Sequence, residues 1–309
     1  MKLRPDATGV HKLAALAARR APRGLGLAAV KAGGVFASLF AGDRRVIVER
    51  NLRRASAADL DDSSLNAGVA SSFEAYGRYY LDSFRLPDLD AQTIDDGFDY
   101  VGFEHILASV ERGVGPLLIL PHLGGWEWAA FWLSKIHHIK VTAIVEPLEP
   151  PELFDWFVSF RESLGMNVVP VGPEAGPAIL DAVREGHAVC LLADRVVAGA
   201  AAVSVDFFGE RTLLPAGPAT IALRTGAPLI PVAVYFRGEQ HFADCRPPVP
   251  AMREGRFRDD VQRITQALAN ELEDLVRAAP EQWHVLQPNW PSDYRALGRP
   301  VPEAFKDLS

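Results

Sequence analysis

The sequence predicts an α/β fold: a mostly parallel central sheet flanked by helices, with a helical N-terminal membrane-associating layer. Three observations predict it. From about residue 100 onward, short apolar runs rich in branched residues alternate with helical segments, the pattern of repeated β-α-β units. Before residue 90 the pattern is helical, with Phe73, Tyr76, Tyr79, Tyr80 and Phe84 recurring at helical spacing. Residues 1–60 carry twelve Lys/Arg against four Asp/Glu, a net +8, on a chain whose total is −7. A basic segment on an acidic body suits contact with an anionic surface.

Taken in order, residues 8–54 read as helix, interrupted near Pro22-Arg23-Gly24. Residues 24–41 are the most apolar part, interrupted by Lys31 and Gly33-Gly34 and marginal in length for a membrane span. Their distance from the start, with Arg19, Arg20 and Arg23 before them, argues against a cleaved signal peptide. Val30, Val35, Phe36, Leu39 and Phe40 share a broad face, which fits a helix lying on a membrane or an ordinary core helix. A helix over 63–85 follows, ended by Pro87.

Strands are expected at 117–120, 141–145, 167–171, 187–193 and 229–236. Helices are expected at 125–137, 151–164, 176–185 and 216–225, then a long amphipathic one near 257–278. The tail from Pro280, rich in Pro and Trp, reads as a surface wrap. The chain is expected to be one domain, with a membrane-associating segment over 1–90, an α/β core over 100–280 and a tail over 281–309. Cys190 and Cys245 are isolated from each other in sequence, which gives neither a disulfide framework nor a zinc site and fits a reducing cytoplasm.

Residues 118–128 read Leu-Ile-Leu-Pro-His-Leu-Gly-Gly-Trp-Glu-Trp. They place His122 at the end of a strand and Glu127 in the first turn of the next helix, where the helix dipole favours a carboxylate. The C-terminal ends of strands are where open α/β sheets hold their sites. Glu127 is expected to accept a hydrogen bond from one ring nitrogen of His122 and leave the other as a base facing the crevice. The alternative is a structural histidine and a carboxylate that only offsets the dipole. Glu146 and the Asp194-Arg195 pair follow other strands, and Arg161 lies on the helix after Glu146. Glu146 suits a sugar hydroxyl, Arg161 a phosphate and Asp194-Arg195 a substrate contact. Solvated surface and a weak local ion pair are the plain alternatives. Leu214-Pro-Ala-Gly-Pro218 opens a helix with free N–H groups, fit for an anion or only a Pro-started helix.

Other chemistries find no support. There is no Gly-x-Ser-x-Gly elbow and no phosphate loop ending in Gly-Lys-Ser/Thr. Gly24-Leu-Gly26-Leu-Ala-Ala29 imitates a dinucleotide fingerprint but no strand precedes it. His137 and His138 are adjacent, so they do not share a helix face as a metal pair would. The acidic body would repel a polyanion and no recognition motif is present, so nucleic acid is not an expected partner.

The His122/Glu127 spacing resembles the His-x4-Asp/Glu signature of the glycerolipid and lipid A acyltransferase superfamily. Leu-Pro-His-Leu-Gly-Gly-Trp-Glu is close to a block of the lipid A branch. Asp206-Phe-Phe-Gly209, then the run from Pro215 to Pro231, resembles that branch's downstream block. Glu281-Gln-Trp-His-Val-Leu-Gln-Pro-Asn-Trp290 resembles the tail of the phosphatidylinositol mannoside acyltransferase subgroup. The Phe-Pro-Glu-Gly block of the glycerol-phosphate branch is absent.

The resemblance implies transfer of a fatty acyl group from acyl-CoA, palmitoyl-CoA above all, to a hydroxyl of a membrane glycolipid, a mannose on phosphatidylinositol in this subgroup. It implies peripheral attachment to an anionic membrane surface at the cytoplasmic face, with no cofactor and no metal. It assigns His122 as general base and Glu127 as its orienting acid. Glu146 and Arg161 match positions near the acceptor, and Asp194-Arg195 matches an acidic-Arg pair after a core strand. The subgroup has Glu-Arg-Asp there, where this chain reads Asp194-Arg195-Val196, a difference that bears on the acceptor. Oxyanion donors are expected from N–H groups near Gly124-Gly125 or from a side chain. Trp126, Trp128, Phe131 and Trp132 line an acyl channel or pack the core. The alternatives are a different glycolipid or lipid A-like acceptor, or a non-catalytic lipid-binding relative.

Overall fold

The computed structural model describes residues 7–56, 59–197 and 199–308. Lys2, Arg4 and Asp6 of the basic segment lie outside the described residues. Helices α1 (Ala7–Arg20), α2 (Arg23–Phe40) and α3 (Asp43–Ala55) lead to the long α4 (Asp62–Arg85). After α5 (Ala91–Asp96) and the edge strand β1 (Phe98–Val101), helices and strands alternate. They run α6 (Glu104–Glu111), β2 (Leu117–Leu120), α7 (Trp126–Lys135), β3 (Val141–Val145), α8 (Pro151–Ser163), β4 (Met166–Pro170), α9 (Ala175–Arg184) and β5 (Ala188–Leu192). The hairpin β6 (Ala202–Phe207) and β7 (Glu210–Pro215) precedes α10 (Gly217–Thr225), β8 (Leu229–Arg237), β9 (Gln240–Cys245), α11 (Phe257–Arg277) and α12 (Pro291–Ala296).

Seven strands form one sheet in the order β1-β9-β8-β2-β5-β3-β4. β8, β2, β5, β3 and β4 are mutually parallel, while β9 runs antiparallel to β8 and β1 follows β9. Both faces of β8, β2, β5 and β3 are covered, which is why their sequences are apolar without alternation, while the edge strand β4 exposes Asn167 and Pro170. Leu117, Ile119, Val189, Leu191 and Leu229 face one core, with α9, α10 and α11. Leu118, Leu120, Cys190 and Ile230 face the other, with α7.

The α/β class and the mostly parallel sheet are as the sequence predicts. The differences have local causes. The helical N-terminal run breaks a second time at Ala41-Gly42, where Gly42 takes φ +53°, a conformation open to glycine. Strands β1, β6, β7 and β9 are too short or too polar to stand out by apolar content. The tail does not wrap the surface. Trp283, Val285, Asn289 and Trp290 are buried, and the indole of Trp290 stacks on Phe207 of the hairpin.

Helix α2 has two unlike faces. Gly26 and Gly34 lie against α4 so closely that a Cβ at Gly34 would sit 2.7 Å from the Glu74 backbone nitrogen. Val30, expected on the membrane-facing side, packs instead over Gly77 of α4. The opposite face leaves Leu25, Val35, Phe36, Leu39 and Phe40 exposed, with Phe36 at 66% and Phe40 at 71%. Helix α2 is also long and apolar enough, by length and composition, to cross a membrane. Part of the basic charge is paired with acids: Arg19 with Asp88 and Arg23 with Glu239 at the surface, Arg45 with Glu49, and Arg50 and Arg54 with the buried Asp293. Lys12, Arg20, Lys31 and Arg44 are exposed and lack an ion-pair partner among the described residues.

A Gly34→Leu substitution is expected to force α2 away from α4 and to destabilise the protein by about 1–3 kcal/mol, the range for overpacking a tight contact. Limited proteolysis in the α2–α3 region should accelerate. Unchanged cleavage and an unchanged unfolding midpoint would contradict this packing.

Candidate active site

Parallel pairing of β2 with β5 sets Leu120 against Leu192. Two residues beyond each strand end come His122 and Asp194, brought to the same place from 72 positions apart. The Asp194 carboxylate meets the His122 ring with Oδ1 at 2.5 Å from Nδ1. Its Oδ2 accepts the His122 backbone N–H at 2.8 Å and the Trp283 indole N–H at 2.7 Å. Asp194 is fully buried, while a quarter of the His122 side chain is exposed. Burial alone would push the Asp194 carboxyl up. The adjacent imidazole and these donors outweigh it and hold the carboxyl below the usual range. The arrangement leaves Nε2 as the second ring nitrogen of a histidine that lines a cleft of about 750 Å³.

Glu127 does not touch His122, contrary to the sequence-based expectation. Gly124, at φ +57°, turns the chain where a Cβ would stand 1.7 Å from the Val234 carbonyl oxygen. Helix α7 then carries Glu127 toward α4 and α8. There its Oε1 accepts from the Tyr79 hydroxyl at 2.5 Å and from Arg161 at 2.9 Å. Burial pushes the Glu127 carboxyl up, against the pull of Arg161. Burial, with Glu127 beside it, pushes the Tyr79 phenol well up, so Tyr79 stays a donor. Glu127 Oε2 and Arg161 Nε are buried without a partner among the described residues. Asp194, expected at the substrate, is instead the acid on His122.

The other predicted residues do converge on the cleft. Glu146, Arg161 and Arg195 line it with His122, and Arg195 forms an ion pair with Glu146. Gly217, Pro218 and Thr220 at the start of α10 form another wall, as the Pro-started helix suggests. The N–H groups of Gly124 and Gly125 are both occupied, by the carbonyls of Gln282 and Val234 at 3.1 Å each. They are therefore not idle oxyanion donors. Of the aromatic candidates for an acyl channel, Trp126 lines both this cleft and a small apolar pocket of about 30 Å³. Trp132, Cys190 and Cys245 wall that pocket, while Trp128 donates to the Ile94 carbonyl and stacks on His241 in the core. Phe131 is buried in the same core.

Sequence reasoning did not single out three residues at this site. Tyr79 stood out only as part of an aromatic helix face. Trp283 and His284 lie in the Pro- and Trp-rich tail block, whose composition reads as a surface wrap. His284 lines the cleft, packs its ring against Tyr76 and Tyr79, and donates its backbone N–H to the His122 carbonyl at 2.6 Å. Burial and the neighbouring His122 push its imidazole down to about 3, so it is neutral at physiological pH.

A model of the bacterial lipid A biosynthesis acyltransferases matches residues 10–292. The chain belongs to this family. Among its relatives, the phosphatidylinositol mannoside acyltransferase of Mycolicibacterium smegmatis is 34% identical over 281 residues, 89% of this chain and 88% of that protein. The protein of the same name from Mycobacterium tuberculosis is 38% identical over 230 residues, 73% of this chain and 71% of that one. A lipid A biosynthesis acyltransferase of Haemophilus influenzae is 26% identical over 186 residues, 60% of this chain and 56% of that one. This member of the lipid A acyltransferase family is thus an acyltransferase in which a cleft at the strand ends holds a histidine backed by a buried aspartate.

The depressed carboxyl of Asp194 has a consequence for stability. A carboxyl lower in the folded than in the unfolded state contributes its full stabilisation above the unfolded value, near pH 4. It loses that contribution as pH falls through the folded value. Asp194→Asn is therefore expected to be less stable than wild type at pH 7 by about 1–3 kcal/mol, with the gap narrowing as the pH falls below 4. Urea unfolding at both pH values checks this, and a gap that stays constant or widens on acidification would contradict it.

Proposed function

We propose that this acyltransferase moves a fatty acyl group from acyl-CoA, palmitoyl-CoA first among the candidates, to a mannose hydroxyl of a phosphatidylinositol mannoside. The observation that carries the reading is the His122–Asp194 couple beside the cleft at the strand ends, in a chain 34% identical to a relative named phosphatidylinositol mannoside acyltransferase. Asp194 fixes the tautomer with the proton on Nδ1, which leaves Nε2 to act as general base. The acceptor hydroxyl gives its proton to Nε2 as its oxygen attacks the thioester carbonyl. The tetrahedral oxyanion collapses, the C–S bond breaks, and the thiolate takes the proton back from the imidazolium. Base catalysis of this kind contributes roughly 10²–10⁴-fold. Every step uses groups of the protein and its two substrates, and none calls on a cofactor.

The remaining residues fit the acceptor end. Arg161, held by Glu127 and lying near the Trp126 and Phe157 rings, offers a cation within an aromatic wall. Glu127 thus serves by holding Arg161, not by orienting the base. Glu146 and Arg195, paired with each other, present hydroxyl-binding groups in the same cleft. The acyl chain lies along the apolar part of the cleft, with Trp126 between it and the small pocket behind.

His122→Ala is expected to reduce transfer by at least 10³-fold while leaving the fold intact. The assay is acceptor-dependent release of free thiol from palmitoyl-CoA, run with phosphatidylinositol mannosides and with a lipid A precursor. Undiminished turnover by the variant would sink the base assignment. Stimulation by the lipid A precursor alone would move the acceptor to that class.

At the membrane, the open apolar face of α2 and the unpaired cations Lys12, Arg20, Lys31 and Arg44 support peripheral attachment at an anionic surface, the cytoplasmic leaflet. Each such charge is worth about 1 kcal/mol near the bilayer. Replacing the four with Gln should weaken sedimentation with anionic vesicles, most strongly at low salt. Neutralising Arg19 and Arg23, which already pair with Asp88 and Glu239, should weaken it less. Equal binding by the fourfold variant and wild type would remove this face from membrane contact.

A further inference from the structure

The tail segment at Trp283 reaches across the sheet to the base and its acid. Gln282 accepts the Gly124 N–H through its carbonyl and grips the Phe236 backbone with its side-chain amide, at 2.7 and 3.1 Å. His284 donates to the His122 carbonyl. Asn289 donates from its side-chain amide to the Asp194 carbonyl at 3.0 Å. Between them, Trp283 forms a bridge with Leu123 and buries its ring against Phe208 and Trp290. Its indole N–H points at Asp194 Oδ2 at 2.7 Å, across 89 residues of sequence.

The geometry points to Trp283 as a positioning residue for the acyl transfer: its N–H holds one oxygen of the Asp194 carboxylate so that the other stays directed at the His122 ring. A buried carboxylate has four lone-pair directions to satisfy and can rotate about its last bond. Two donors on Oδ2, the His122 backbone and the Trp283 indole, fix that rotation. The indole is the one supplied by a side chain, and it is held rigid by packing on three aromatic rings. Without it the acid keeps one fixed donor and gains freedom to turn away from Nδ1. Trp283 touches neither substrate nor reacting atoms, so its effect passes through Asp194. The inference rests on the reading of His122 as the base.

The test is a double-mutant cycle on thiol release from palmitoyl-CoA with the phosphatidylinositol mannoside acceptor. W283F removes the N–H and keeps an aromatic ring. It is expected to lower kcat roughly tenfold, as for one hydrogen bond to a charged group, with KM for palmitoyl-CoA unchanged. D194N is expected to lower kcat on the order of 10³–10⁴-fold. Because Trp283 acts through Asp194, the double variant should match D194N within about twofold. Benzothienylalanine at 283, which keeps the bicyclic shape without the N–H, should reproduce the W283F loss with an unchanged thermal midpoint. An unchanged kcat in the benzothienylalanine protein, or a further tenfold loss on top of D194N, would overturn the inference. Activity in wild type and its loss in H122A show separately whether the base reading holds.

Discussion

The register between β2 and β5 is the constraint on which the site depends. Setting Leu120 against Leu192 brings His122 and Asp194 side by side just beyond the strand ends. Because both strands are parallel, central and buried on both faces, the register is held by a ladder with apolar packing above and below. A shift of one residue would turn every core side chain to the wrong face. The pair is therefore as rigid as the sheet. Neither partner sits on a long loop, and the acid needs no solvent to stay ionised because the protein supplies its donors.

Two buried acids divide the work of the cleft. Asp194 is surrounded by donors and by the imidazole, so the environment favours its charge despite complete burial. Glu127 is equally buried but has fewer donors: Arg161 and Tyr79 share one of its oxygens, and the other has no partner among the described residues. Breaking such a pair by removing one partner leaves a buried charge uncompensated. Helix α4 connects these parts. Its Tyr79 reaches Glu127, its other tyrosines wall the cleft, and it packs against Gly26 and Gly34 of α2, with its own Gly77 beneath Val30. The helix that bears the open apolar face thus packs directly on a helix that lines the cleft.

Much of this is legible in the sequence. The continuous apolar runs at 117–120 and 188–192 announce doubly covered strands, and the Pro-His-Leu-Gly-Gly turn marks a site at a strand end. Which acid serves His122 is not legible there. Sequence proximity favours Glu127, five residues away, but proximity along the chain says nothing of direction once Gly124 adopts a positive φ. Asp194 is distant in sequence and becomes adjacent only when strand order is known. Trp283 is hidden for the same reason, since a Trp near a chain end reads as surface until its indole is seen against a buried carboxylate. Composition likewise overstates the unpaired charge of the N-terminal segment, because Arg19, Arg23, Arg45, Arg50 and Arg54 find acids that composition cannot pair with them.

The central claim is that Asp194, and not Glu127, holds the proton on His122 Nδ1. Proton NMR of histidine-labelled protein tests it most directly, through the far-downfield imidazole N–H resonance of a histidine bonded to a buried carboxylate. This resonance is expected in wild type and in Glu127→Gln, and should be lost in both Asp194→Asn and His122→Ala. A resonance that survives Asp194→Asn and disappears in Glu127→Gln would contradict it.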